Sequence, residues 1–345
     1  MATRLEVEEL VAGTVTQTKS SGGSAVNLTG GAYITYNGVN YPINQSFFAD
    51  QTDYIAPTLV TGQQSYTSPG TYSWVAPAGV NSVNVVCVGG GGPGIDGWAN
   101  PGGCGGGLGW KNNIKVTPGN TYSVQVGAGG RSDTSTPQTG SSVSYTGGTS
   151  FFKDTNTVAG YGGGNANGYS TSGPNSNQTY GGGYVGTGGG AGGYSSGWNG
   201  SGGAGGYTGR GGNLNEAWSP SVVNGGYGGS YYSSTYGSGA GGGVGLNGVT
   251  GYPSPGNAFY NPFTGYTNYA PYGSGGSGAH GGSNGYYGEN PFSGQGQSSS
   301  NIQGGDYGGG GGGPGSSWPS ASGNGGSGAV RIIWGPNRSF PNNAT

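Results

Sequence analysis

The chain has 345 residues, enough for two or three domains, but only 30% are hydrophobic and 6% charged, which excludes one large conventional core. Nine Lys and Arg against 11 Asp and Glu give a net charge of −2, with no electrostatic footprint for nucleic acid or an anionic membrane. No apolar run approaches the roughly 18 residues of a membrane-spanning helix, and Met1 to Leu10 lacks the apolar core of a secretion signal, so the chain is expected to fold in a cytoplasm.

At the start, Thr3 and Glu6 stand at capping-box spacing, and Leu5, Glu8, Glu9 and Leu10 favour a short helix to about Val11. Gly13 to Ser24 reads as a polar linker. Tyr33 to Ile43 (Y-I-T-Y-N-G-V-N-Y-P-I) sets Asn37-Gly38 between two β-prone runs, a strong hairpin signal. Residues 1–62 therefore read as a small docking module, with Leu5, Leu10, Tyr33 and Tyr36 as its candidate contact residues.

Residues 63–160 read as strands of a β-sandwich. Tyr66, Tyr72, Trp74 and Val75 lead to a turn at Pro77-Ala78-Gly79. Ser82 to Val88 then puts Val83, Val85 and Cys87 on one face and Asn84, Val86 and Val88 on the other. Trp110 to Val116 alternates Trp110, Ile114 and Val116 against Lys111, Asn113 and Lys115, and Thr121 to Val126 puts Tyr122, Val124 and Val126 on one face. Thr117-Pro118-Gly119-Asn120 between them predicts a hairpin. Ser150-Phe151-Phe152 and Thr157-Val158-Ala159 suggest another. Cys87 and Cys104 could meet across a loop, but two cysteines in a chain without a secretion signal read better as thiols.

All but ten of the 90 glycines fall between Gly89 and Gly328, and residues 161–328 add many tyrosines. Ordering such a tract gives up the most backbone freedom per residue and brings no side chain to bury. Either it is disordered, or its bare backbones approach closely and hydrogen-bond in a dense lattice. Collagen is excluded, because the runs Gly89 to Gly92 and Gly308 to Gly313 break a three-residue sequence phase and proline is sparse. Threefold polyglycine II helices packed side by side remain. Residues 329–345 favour the ordered alternative. Ala329 to Trp334 (A-V-R-I-I-W) alternates Val330, Ile332 and Trp334 against Arg331 and Ile333, and a long insertion in a sheet must return to it, whereas a disordered tail has no reason to end in a strand. The expected fold is thus all-β: a docking module, a sandwich, a polyglycine insertion and a closing strand.

The order Tyr72 to Trp74, Pro77-Ala78-Gly79-Val80, Ser82 to Val88, Gly89 to Gly92, V-T-P-G-N-T-Y-S-V-Q-V-G-A-G-G from Val116 to Gly130, and Gly328 to Trp334 resembles the glycine-rich domain of bacteriophage tail-fibre and virion proteins, over roughly Ser65 to Gly335. The resemblance implies stacked polyglycine II helices with variable recognition loops at one end. It also implies a homo-oligomer, a trimer, in a virion with other virion proteins as partners. It carries no catalytic residue. The tyrosine-rich insertions depart from that pattern.

The residues themselves point away from catalysis. His280 is the one histidine, with no cysteine or carboxylate near it in sequence, and reads as a solvated loop residue. Asp50, Asp53, Asp96, Asp133, Asp154, Glu216, Glu289 and Asp306 are isolated, so nothing nominates a glycosidase pair. Gly209-Arg210-Gly211-Gly212 is a single RGG-like triplet, too little charge for RNA. The expectation is a protein that is not an enzyme and needs no metal or other cofactor.

Aromatic surface is what the chain has in excess: 26 Tyr, 7 Trp and 8 Phe. Tyr252, Phe259, Tyr260, Phe263, Tyr266, Tyr269 and Tyr272 fall within one stretch stiffened by Pro253, Pro255, Pro262 and Pro271; Trp218, Tyr231 and Tyr232 form a second group. Flat amphipathic rings give contact area at low entropy cost, which suits recognition of a host surface glycan or protein, a polysaccharide above all. The same rings could instead seal the lattice or a subunit interface. The sequence thus leaves a phage adhesin beside a non-adhesive structural virion protein, a capsid decoration or fibre subunit, and beside a low-complexity condensate former.

Overall fold

The computed structural model describes strand backbone within residues 9–42, and residues 60–94, 102–131, 146–164, 181–195, 201–213, 225–226, 240–249, 303–312 and 322–344. Two compact units divide the chain, Met1–Leu59 and Val60–Thr345. No helix occurs among the described residues, and the fold is all-β.

In the first unit, β1 (Glu9–Val11), β4 (Tyr33–Tyr36) and β5 (Val39–Pro42) form a sheet in the order β1-β4-β5, while β2 (Thr14–Ser20) and β3 (Gly23–Thr29) pair alone. The Asn37-Gly38 hairpin is present, with Tyr36 paired to Val39. Two expectations are corrected. The helix to Val11 gives way to β1 at Glu9–Val11, where Leu10 pairs with Ile34, since a helix of eight residues is marginal and pairing supplies long-range bonds that it lacks. The linker at 13–24 is instead mostly a hairpin, Val15 opposite Leu28 and Gln17 opposite Val26, because β-branched Thr and Val favour the pleated state even where few residues are apolar.

Among its described residues the second unit holds ten strands in two antiparallel five-stranded sheets. They are β6 (Gly62–Tyr66), β7 (Gly70–Val75), β8 (Ser82–Val88), β9 (Leu108–Lys115), β10 (Thr121–Val126), β11 (Ser150–Phe152), β12 (Val158–Gly160), β13 (Tyr184–Val185), β14 (Gly188–Gly190) and β15 (Ala329–Trp334). One sheet runs β14-β9-β8-β15-β6 and the other β13-β12-β11-β10-β7. The closing strand β15 lies between β8 and β6, with Ile332 opposite both Val85 and Gln64.

Alternation decides which core each residue enters. Val83, Val85 and Cys87 of β8 and Val330, Ile332 and Trp334 of β15 face the other sheet and pack with Trp74, Val124, Val126, Phe152 and Val158. Trp74 lies at the centre, its ring 5.8 Å from Phe152 and 5.7 Å from Trp334. The opposite face, with Val86, Val88, Ala329 and Ile333, is covered by Ala204, Tyr207, Val244, Leu246, Phe340 and Ala344. Tyr207 stacks on Phe340 at 5.9 Å, donates its hydroxyl to Gly245 O at 2.9 Å, and accepts at its carbonyl from Trp110 Nε1 at 2.8 Å. Tyr207 and Phe340 thus seal a thin apolar layer over the outer face of that sheet.

Two details of β9 and β10 differ from the sequence expectation. They are not a hairpin: β9 pairs with β8 and β14, β10 with β7 and β11, and the Thr117–Asn120 turn carries the chain from one sheet to the other. Ile114 and Val124 both have to reach the core between the sheets, which strands of one β-hairpin would do side by side and these do from opposite sides. Trp110 and Ile114 also do not share a face. A bulge shifts register between Val83 and Val85, Asn113 takes φ 55°, and its N–H donates to Asn84 Oδ1 at 2.8 Å, so Trp110 joins the outer layer and Ile114 the inner core. The expected β11–β12 hairpin is present, Phe152 opposite Val158.

Cys87 and Cys104 are both free and buried. Burial raises both thiols: Cys87 far above its usual value, and Cys104 to about 12 even though the Ser195 N–H at 3.4 Å favours its thiolate. In the native protein both should react with a thiol reagent at pH 8 roughly a thousandfold more slowly than free cysteine, and at the free rate after unfolding in denaturant.

Candidate functional site

Where β8 ends at Val88, the pairing of its continuation changes kind. Gly89 and Gly92 donate to Gly107 O (2.9 Å) and Cys104 O (2.8 Å), Gly91 and Gly94 to Gly326 O and Gly323 O (both 2.9 Å), and Gly90 to Gly148 O (2.9 Å). The partner segment recurs every third residue, the period of a threefold extended helix and not the twofold period of a strand. Three further segments donate into the same row, Gly163 to Gly90 O, Gly130 to Gly91 O and Gly311 to Gly92 O. Row 89–94 therefore bonds six neighbours, where a strand in a sheet has two.

The next row repeats this. Gly103 and Gly106 donate to Gly311 O and Gly308 O, Cys104 and Gly107 to Gly164 O and Tyr161 O, and Gly105 to Gly193 O. It accepts from row 89–94, from Gly182 at Gly105 O, and from Gly202 and Gly205 at Gly103 O and Gly106 O. Partner numbers fall by three along row 161–164 and rise by three along row 202–205, so antiparallel and parallel neighbours coexist, as threefold symmetry permits. This is the hexagonal packing of polyglycine II helices.

Such packing explains the composition. A Cβ at Gly91, Gly92 or Gly105 would overlap the carbonyl of Gly309, Gly164 or Gly203, so these positions are glycine because another main chain occupies the space. Among the few side chains inside the rows, Ser201 and Ser322 are fully buried and donate their hydroxyls to Gly311 O and Gly94 O.

The sheets fix the direction of the rows. β8, β10 and β12 each run out into a row (89–94, 127–131, 161–164), and rows 102–107, 146–148, 181–183 and 322–328 lead back into β9, β11, β13 and β15. Residues 95–101, 132–145 and 165–180 therefore join row ends lying away from the sheets. That end is held by Gly94 N–H to Gly323 O (2.9 Å), Gly103 N–H to Gly311 O (2.7 Å) and Gly202 N–H to Gly103 O (3.0 Å). It is a rigid rim from which several stretches of sequence start and to which they return, and it is the candidate site.

Of the residues nominated from sequence, Tyr252, Phe259, Tyr260, Phe263, Tyr266, Tyr269, Tyr272, Trp218, Tyr231, Tyr232 and Leu5 lie outside the described residues. Their stretches, 214–224, 227–239 and 250–302, are flanked by Asn213, Gly225, Gly226, Ala240, Val249 and Gln303, which are described. The structure brings Leu10, Tyr33 and Tyr36 into one sheet, Tyr33 opposite Val11. Sequence reasoning reached a loop-bearing end of the lattice only through the resemblance and did not place the rim, whose signal in the residues is the end of each glycine run. Among the described residues, no group of three or more His, Cys, Asp or Glu could hold a metal ion, and no helix is long and apolar enough to cross a membrane.

Against known families, a glycine-rich domain matches over residues 67–335. No curated protein matches the chain.

Proposed function

The chain belongs to the glycine-rich domain family, and on that premise we propose that it is a bacteriophage fibre or adhesin protein that docks on the virion through residues 1–62 and binds a host surface polysaccharide through its aromatic stretches. The observation carrying this reading is the rim. A lattice bonded in three directions does not shift when the sequence beyond it changes, so it can hold recognition segments whose composition is free to vary. The stretches holding Trp218, Tyr231 and Tyr232 are flanked by described glycine-rich segments, whereas the stretch holding Tyr252 to Tyr272 leaves from Val249, whose N–H donates to Pro341 O at 2.7 Å beside the outer apolar layer. The protein acts by binding and not by catalysis, which the isolated carboxylates and the single histidine support.

Replacing Tyr260, Phe263 and Tyr266 together with alanine tests it. The expected result is an unchanged thermal unfolding profile with adsorption of particles to host cells lowered at least about tenfold. Unchanged adsorption with weakened particle assembly would favour the structural virion component instead. Gold labelling of intact particles with an antibody against the C-terminal half then separates a tail tip from a capsid location.

A further inference from the structure

Arg331 points from β15 to the outer face of its sheet, where it is 4% exposed beneath the apolar layer. Its Nη1 donates to Leu246 O at 2.9 Å, and its Nη2 to Gln63 Oε1 at 2.6 Å and Ala344 O at 2.8 Å. Arg338 converges on the same place: Nη2 donates to Gln63 Oε1 at 2.7 Å and Ala344 O at 3.4 Å, and Nη1 to Gly62 O at 2.5 Å and Trp334 O at 3.5 Å. Two guanidiniums thus share one amide oxygen and one carbonyl, and every one of these acceptors is neutral. Arg338 Nε is buried with no hydrogen-bond partner. Burial, and then the charge of Arg338, hold the Arg331 pKa below its usual value.

Two adjacent cations, one of them under an apolar layer, are costly without a counter-charge. Arginine forks match the geometry of oxyanions, and the cluster opens to solvent at exposed Gln63. We infer that Arg331, Arg338 and Gln63 form a binding site for an oxyanion, a carboxylate, sulfate or phosphate group, at the edge of the sandwich. The anion takes the one donor of Arg338 left without a partner, Nε–H, and ties β6, β15 and the segment after Trp334 together. It comes either from solution or from a carboxylate elsewhere on the chain.

Melting temperatures of the full chain and of Arg338→Gln, in sodium chloride and in sodium sulfate at matched ionic strength, test the site. Sulfate stabilises proteins generally, and that part cancels between the two. A solution anion raises the wild-type melting temperature by about 3 °C more than that of the variant. A chain carboxylate gives no sulfate difference, but on acidification from pH 7 to 4 in chloride the wild type loses its advantage over the variant. Among the described residues the other titratable group facing the site is Tyr207, which burial raises, so it does not titrate there. Gln63→Glu places a carboxylate between the guanidiniums at an exposed position; it should raise the melting temperature in chloride and abolish any sulfate difference. Equal responses of wild type and Arg338→Gln to both sulfate and acid, or a lower melting temperature for Gln63→Glu, overturn the site.

Discussion

Gly105→Ala is expected to destabilise the second unit by about 3 kcal/mol or more, a large effect for the addition of one methyl group. Its N–H donates to Gly193 O and its carbonyl accepts from Gly182 N–H, both at 2.9 Å, while a Cβ would overlap the carbonyl of Gly203. In an ordinary core an extra methyl is absorbed by rotamer changes in its neighbours. Here the neighbour is main chain, bonded in turn to Gly193 and Gly212, so relief means pulling rows apart and losing several hydrogen bonds together. Gly119→Ala is the control. Gly119 has φ +81° and nothing within 4 Å of where a Cβ would stand, so only the left-handed backbone opposes the change, at about 1 kcal/mol. Chemical denaturation of both variants gives the comparison, and equal costs would mean that close approach of backbones is not what demands glycine.

This division between side-chain and main-chain information decides how much was legible in the sequence. β8 and β15 were readable with their faces, because a residue such as Ile332 declares its side of the sheet by alternation. The partners of β9 and β10 were not. Thr117–Asn120 is the same turn whether the chain folds back within a sheet or crosses to the next, and tertiary packing decides between them. The bulge at Asn113 was equally hidden, since it shows itself only through the Asn84 side chain one strand away. In the glycine region the sequence says that backbones must pack against backbones, but the pairing of Gly91 with Gly326, and of Gly105 with Gly193, is written in hydrogen bonds that no side chain distinguishes. The rim could therefore be anticipated in kind and not in layout. The cluster of Arg331, Arg338 and Gln63 joins positions up to 275 residues apart and has no local signature at all.

Removing residues 329–345 should prevent folding of the entire unit, lattice included, although that segment contains one glycine among its residues. β15 is central: Val330 pairs with both Tyr66 and Cys87, and Ile332 with both Gln64 and Val85. Its loss strips β8 and β6 of their shared neighbour, takes Val330, Ile332 and Trp334 from the inner core, and takes Ile333, Phe340 and Ala344 from the outer layer. The rows cannot compensate. A polyglycine helix has no internal hydrogen bonds and little side-chain surface, so each row is stable only while its neighbours are in place, and the sheets hold the first turns of those neighbours in register. Row 322–328 leads directly into β15, and its Gly326 and Gly328 bond Gly309 and Gly127. Hydrogen exchange is the measurement. In the intact chain the amides of Gly89 to Gly92 and Gly103 to Gly107 should be protected, and in the shortened chain they should exchange at the rate of a free peptide. The point substitution Ile332→Ala should lie between, costing about 3 kcal/mol while leaving the protected set unchanged. Retained protection in the shortened chain would show that the lattice stands without its closing strand, and the ordering of the glycine region would then have to come from the rows alone.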